Sequence, residues 1–98
     1  EVFGPVLAGA TFKDDEEALA LANDSEYGMI SAIWTSHVQR AHRMAKQLHC
    51  AQVFVNSYGA GGGVELPFGG YKRSGYGREK GFEGLLQYTQ LKTVLFKL

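Results

Sequence analysis

Apolar and polar positions along the chain switch between two periods. Residues 5–12 (PVLAGATF) form a short, mostly apolar run with the composition of a buried strand. The stretch KDDEEALALAND follows and reads as a helix. Asp14, with Glu17 three residues on, makes a capping-box pair in which Asp takes the hydroxyl residue's place. Further acids crowd the first turn, where free backbone amides favour negative charge. Ala18, Leu21 and Ala22 give this helix one small apolar face, and Asn23, Asp24, Ser25 and Gly28 end it.

Residues 29–35 (MISAIWT) have the β-branched and aromatic content of a second strand. Ser36 stands where a helix cap is expected. Val38, Ala41, Ala45 and Leu48 then recur at helical spacing, with Gln39, Arg40, Arg43 and Lys46 facing away. Residues 51–57 (AQVFVNS) form a third strand, whose near-continuous apolar run suits burial on both faces. Periodicity stops from residue 58 to residue 78. A loop of about twenty residues is uncommon inside a compact domain and is usually functional or mobile. Residues 79–88 can form a third helix on Phe82, Leu85 and Leu86, weakened by Gly81 and Gly84. Residues 93–98 read as a last strand. Strands joined through helices predict parallel pairing with right-handed crossovers. The expected fold class is α/β: half of a doubly wound, mostly parallel sheet, followed by a long loop, a helix and a terminal strand. Such a half needs further strands, and strand patterns at both extremities imply a piece of a larger protein with apolar surface left open.

Composition narrows the chemistry by exclusion. The 98 residues make one domain or part of one, and ten basic residues balance ten acidic ones. No net field points to nucleic acid or to a membrane. No apolar run of about 18 residues is present. A single cysteine, Cys50, excludes an internal disulfide and any site of paired thiols, and it suits a reducing, cytoplasmic location. Cys50 follows a helix rather than starting one, so it reads as a small buried side chain. His37, His42 and His49 do not share a helix face, so no metal site is expected. GAGGG at residues 59–63 lacks the order of a dinucleotide or phosphate loop and reads as a turn using glycine's backbone freedom. Lys72, Arg73, Arg78 and Lys80, interleaved with Tyr71 and Tyr76, allow single-strand binding by charge and stacking. Neutral net charge favours the other reading, in which they anchor the loop to carbonyls and carboxylates. Glu1 and Glu65 have no acidic partner nearby, so paired-carboxylate hydrolysis is not supported.

Five stretches taken together resemble the C-terminal segment of the aldehyde dehydrogenase superfamily. They are EVFGPV at residues 1–6, ALANDSEYG, Val55-Asn56, PFGGYKRSGYGRE at residues 67–79, and YTQLKTV. The resemblance covers all 98 residues. It implies oxidation of an aldehyde to a carboxylate with NAD or NADP, through a cysteine thiohemiacetal and a thioester that a general base helps to hydrolyse. It implies that residues 1–66 are the C-terminal part of the catalytic domain. Residues 67–98 would be a connector loop, helix and terminal strand packing on that domain or on a neighbouring subunit.

The same resemblance assigns roles residue by residue. Glu1 matches the carboxylate that holds the nicotinamide-side ribose hydroxyls, and Phe3 the aromatic beside that ribose. Gly4 and Pro5 would fix the turn after them. Phe68 matches a position in the wall of the aldehyde tunnel, with residues 58–66 at its mouth. No catalytic residue is assigned: the family's nucleophilic cysteine, general-base glutamate and cofactor-binding lysine segment have no match here, and Cys50 does not replace the nucleophile. The chain alone is therefore expected to be inactive. Its expected partners are the remaining N-terminal portion of the enzyme, an aldehyde substrate, and further copies in a homodimer or homotetramer. The competing reading is a non-catalytic binding or assembly module derived from that fold.

Overall fold

The computed structural model describes residues 3–59 and 63–98. Helix α1 (Asp15–Asn23) starts as its capping pattern predicts. The Asp14 side chain accepts from the Glu17 amide at 2.8 Å. The Glu17 carboxylate reaches back, but to the Lys13 amide at 2.8 Å, one residue before the usual position. The buried residue of α1 is Leu19, not the Ala18, Leu21 and Ala22 face, and Leu21 stays largely exposed. Leu19 presents the larger apolar surface to the place where Ile33, Leu48 and Cys50 converge.

Helix α2 (Val38–Gln47) begins one residue later than a Ser36 cap would place it. His37 is the N-cap, without a side-chain cap bond, and the Thr35 hydroxyl instead accepts from the His37 amide at 3.1 Å. Asp15 of α1 accepts from both Arg40 and Arg43 of α2. These half-exposed ion pairs orient the two helices at a gain of about 0–1 kcal/mol each.

Helix α2 is the crossover between β2 (Ile30–Ile33) and β3 (Gln52–Val55), which pair in parallel from Ile30↔Gln52 to Ile33↔Val55. That is the pairing the alternation of strand and helix predicts. A second pair is antiparallel: β1 (Tyr27–Gly28) lies against β4 (Tyr71–Lys72). Strand β4 falls inside the expected loop, where glycine-rich composition hides any strand period. Helix α3 (Gly81–Leu86) is shorter than residues 79–88. Lys80 and Gly81 have φ of 61° and 60°, outside the right-handed helical region, and Glu79 is engaged in a bridge to Phe68.

The strands expected at residues 5–12 and 93–98 do not form, and both stretches are exposed throughout. A strand is held by a neighbour's backbone groups, and no described residue supplies them here. The expected half-sheet is thus realised as one parallel pair and one short antiparallel pair. Leu19, Ile33, Leu48 and Cys50 form the core, with Met44, Ala45 and Val53 packed around it. The chain exposes 8491 Å², where a compact monomer of this size would expose roughly 5,500 Å². Its radius of gyration is 18.0 Å, against about 12–13 Å for a compact chain. No described helix is long and apolar enough to cross a membrane.

Gly28 stands where the two sheets meet. Its amide donates to the Ser74 hydroxyl at 3.0 Å, and its carbonyl accepts from the Ala51 amide at 3.1 Å. A Cβ there would lie 2.5 Å from the His49 carbonyl oxygen and 3.1 Å from the Tyr71 Cβ. Gly28→Ala in the longer polypeptide that carries this segment is expected to cost about 1–3 kcal/mol, read as a lower denaturant midpoint. An unchanged midpoint would contradict this packing.

Candidate functional site

Within the long glycine-rich stretch, residues 68–79 form a closed loop with a base and a tip. At the base, Phe68 and Glu79 exchange two backbone hydrogen bonds, each 2.7 Å. Inside it, the Arg78 guanidinium donates to the Gly70 carbonyl at 3.1 Å and the Gly77 carbonyl at 2.5 Å. The guanidinium also lies over the Tyr71 ring, 5.2 Å from its centroid. Gly69 permits this closure: a Cβ there would sit 2.6 Å from the Gly77 carbonyl oxygen and 2.9 Å from the guanidinium.

The tip is fastened to the turn after α1. The Lys72 ammonium donates to the Asn23 and Ser25 carbonyls, both at 2.9 Å. Arg73 donates from its backbone to the Glu26 carbonyl at 2.9 Å and from its side chain to the Glu26 carboxylate at 2.5 Å. Ser74 receives the Gly28 amide. The ANDSEYG and YKRSG stretches, far apart in sequence, are therefore one polar unit. Lys72, Arg73 and Arg78 act as the loop anchors that neutral net charge predicts.

Two asparagines complete the frame. The Asn23 amide donates to the Gln47 carbonyl at 2.9 Å and accepts from the His49 amide at 2.8 Å, tying the end of α1 to the end of α2. Asn56 has φ of 53°, a conformation that Asn tolerates better than most residues. Its side chain accepts from the Thr35 amide at 2.9 Å and donates to the Thr35 carbonyl at 3.0 Å. A side-chain amide thus extends the β2–β3 ladder by one step.

Phe68 is half-buried and borders two clefts. One, of about 410 Å³, is lined by Ile30, Val53, Phe54, Leu66 and Lys80, with Gly59 at its edge. The other, of about 810 Å³, lies towards Arg78, Glu79 and Tyr88. The Lys80 ammonium stands 5.8 Å from the Phe68 ring centroid. The Gln52 side chain donates to the Pro67 carbonyl at 3.4 Å and so ties β3 to the residue before Phe68.

Phe3 is 84% exposed and borders neither of these clefts. The chain turns tightly after it, with Gly4 at φ 88° and the Val6 amide bonded to the Gly4 carbonyl at 2.8 Å. Glu1, the other cofactor-side residue, lies outside the described residues, as does most of the GAGGG stretch. Cys50 is buried, and its thiol donates to the Gln52 carbonyl at 3.2 Å. His37, His42 and His49 are exposed, and the described residues hold no cluster of metal-ligating side chains. The bonds of Asn23, Gln52 and Ser74 were not legible in sequence: each joins elements whose contact no local pattern announces.

The aldehyde dehydrogenase family model matches residues 1–94. Among curated relatives, the NADP/NAD-dependent aldehyde dehydrogenase PuuC of Escherichia coli is 50% identical over 98 residues, covering 100% of this chain and 20% of its own length. The 4-trimethylaminobutyraldehyde dehydrogenase of Rattus norvegicus is 45% identical over the same span, again 20% of its length. A solved indole-3-acetaldehyde dehydrogenase complexed with NAD+ superposes with a TM-score of 0.93 at 46% identity, over 100% of this chain and 20% of that one. The chain spans about one-fifth of the length of the curated relatives it matches. Its small parallel and antiparallel sheets reproduce part of the fold of those enzymes. The chain belongs to the aldehyde dehydrogenase family.

Proposed function

We propose that this chain is the C-terminal segment of an NAD(P)-dependent aldehyde dehydrogenase that oxidises an aldehyde to a carboxylate. The observation that carries this reading is identity of up to 50% over all 98 residues with a named aldehyde dehydrogenase. Residues 1–66 belong to the catalytic domain on this reading, and residues 67–98 connect it to a terminal strand that packs on the domain or on a neighbouring subunit. The exposed Leu91, Leu95 and Phe96 supply apolar surface for that packing, in a homodimer or homotetramer. The remaining N-terminal portion of the enzyme supplies the nucleophilic cysteine, and the assembled enzyme works in the cytoplasm.

NAD or NADP, when bound, would supply the hydride acceptor. The segment's own part is to place that cofactor and the substrate. The carboxylate of Glu1 would hold the ribose hydroxyls of that cofactor, for which a carboxylate has the acceptor capacity. The ring of Phe3 is open to pack beside the ribose, which its exposure permits. Phe68 forms an aromatic part of the aldehyde wall, and the cleft it shares with Ile30, Phe54 and Leu66 has a mixed lining in which Gln52 and Lys80 are the polar groups. On this reading the segment alone is inactive, since the nucleophile, the general base and the cofactor-binding lysine lie outside it and Cys50, buried against the Gln52 carbonyl, does not replace the nucleophile.

Glu1→Gln in the full enzyme is expected to lower the single-turnover rate of hydride transfer by roughly tenfold or more, because the nicotinamide is less well placed. An unchanged rate would sink that role. Phe68→Ala is expected to change the preference between aromatic and short aliphatic aldehydes by roughly tenfold, measured as a ratio of kcat/KM, with cofactor KM unaltered. Equal losses for every aldehyde would argue against a place in the pocket.

A further inference from the structure

We infer that Lys80 makes this segment's share of the aldehyde pocket selective for aldehydes that carry a carboxylate at the end away from the reacting carbon. The inference rests on the reading of Phe68 as part of the aldehyde wall. Lys80 borders both clefts that Phe68 borders. In the one shared with Ile30, Phe54 and Leu66 it is the only ionisable residue among the described lining. Its ammonium stands 5.8 Å from the Phe68 ring centroid, so one ligand would meet a positive charge and an aromatic wall together. Gln52 is the second polar group there, and a carboxamide has two N–H donors, of which the Pro67 carbonyl takes one. No described acid forms an ion pair with Lys80: the ion pairs join Asp15 to Arg40 and Arg43, and Glu26 to Arg73. The neighbouring carboxylates are engaged elsewhere. Glu65 accepts from the Gly63 amide at 3.2 Å, Glu79 borders only the other cleft, and Glu83, beside Gly81, borders neither.

The backbone of Lys80 points the same way. Its φ of 61° and ψ of 177° fall in a region that is essentially glycine's own. Gly77 and Gly81 nearby also have positive φ, yet this position carries a lysine. Neighbouring bonds impose the conformation. Glu79 is bridged to Phe68, the Gly81 amide donates to the Val64 carbonyl at 2.6 Å, and the Gly84 amide to the Lys80 carbonyl at 2.8 Å. They fix the Lys80 backbone beside Phe68, while no hydrogen bond from the ammonium serves the described fold. A carboxylate is a group that such an ammonium binds by a charge-assisted hydrogen bond.

The test uses the full enzyme carrying this segment, with Lys80→Gly, Lys80→Met, Lys80→Arg and Phe68→Ala compared. The probes are 4-oxobutanoate, its uncharged isostere 4-methylpentanal, and benzaldehyde, each read as kcat and KM beside the KM of the cofactor. Lys80→Gly and Lys80→Met should lower the ratio of kcat/KM for 4-oxobutanoate over 4-methylpentanal at least about tenfold, mainly through aldehyde KM. Lys80→Arg should hold that ratio within about threefold. In the unaltered enzyme the ratio should fall as KCl is raised, since salt screens an accessible ammonium. Lys80→Gly should melt no lower than the unaltered enzyme, because glycine suits this φ, and so separates lost recognition from lost folding. An unchanged ratio in both charge-removing variants would overturn the inference. So would a rise in cofactor KM without a change in that ratio, which would assign the ammonium to a cofactor phosphate. If Phe68→Ala shifts the benzaldehyde-to-4-methylpentanal preference while the Lys80 variants leave the charge ratio alone, the pocket reading stands and this inference falls. If Phe68→Ala shifts nothing and Lys80→Met still lowers the charge ratio, Phe68 leaves the wall and Lys80 keeps its role.

Discussion

The described structure depends on how the carbonyl end of α1 is satisfied. A helix leaves its last carbonyls without partners, and here a lysine from a distant loop takes the Asn23 carbonyl at that end and the Ser25 carbonyl just past it. The side chain is exposed, so these bonds contribute only about 1 kcal/mol to stability. Their geometric consequence is larger. They stand beside the pairing of β1 with β4, in which Gly28 lies opposite Tyr71 and bonds Ser74, and the chain then continues into β2 and the parallel pair. The loop holding Phe68 and the sheet beneath it are located by the same few polar contacts.

Those contacts sit on a thin core. Five apolar side chains are buried among the described residues, four of them in one cluster, and no large one is fully enclosed. A chain so extended cannot offset much conformational entropy by apolar burial. Phe3, Leu7, Leu91, Leu95 and Phe96 are open to solvent. The proposed function gives these residues a use, since the remainder of a dehydrogenase and its neighbouring subunits would cover them.

Several signals with a local cause were legible, although the Ser36 cap of α2 was not realised. The Asp14–Glu17 cap, the crossover of α2 between parallel strands, and Cys50 as a small buried side chain follow from spacing and composition. The strands expected at residues 5–12 and 93–98 show the opposite case. Their apolar pattern records what they are suited to pack against, while strand formation needs a partner backbone that the described residues lack. Leu19 was missed because helical spacing ranks faces by regularity, whereas packing selects the side chain nearest α2. Strand β4 was missed because two residues between glycines carry no period. In the loop, the sequence marked Lys72, Arg73 and Arg78 as anchors but not the distant partners of the first two: Asn23, Ser25 and Glu26 lie more than forty residues away.

The most direct measurement of the central claim is a chimera. The matching fifth of the Escherichia coli relative would be replaced by this chain, and aldehyde-dependent reduction of NAD or NADP would be followed. A soluble chimera with activity near the relative's own is the predicted result. It would mean that these 98 residues supply a complete ribose-side and pocket-side segment to a family active site. A soluble, correctly assembled chimera that binds cofactor but turns over no aldehyde would contradict the account.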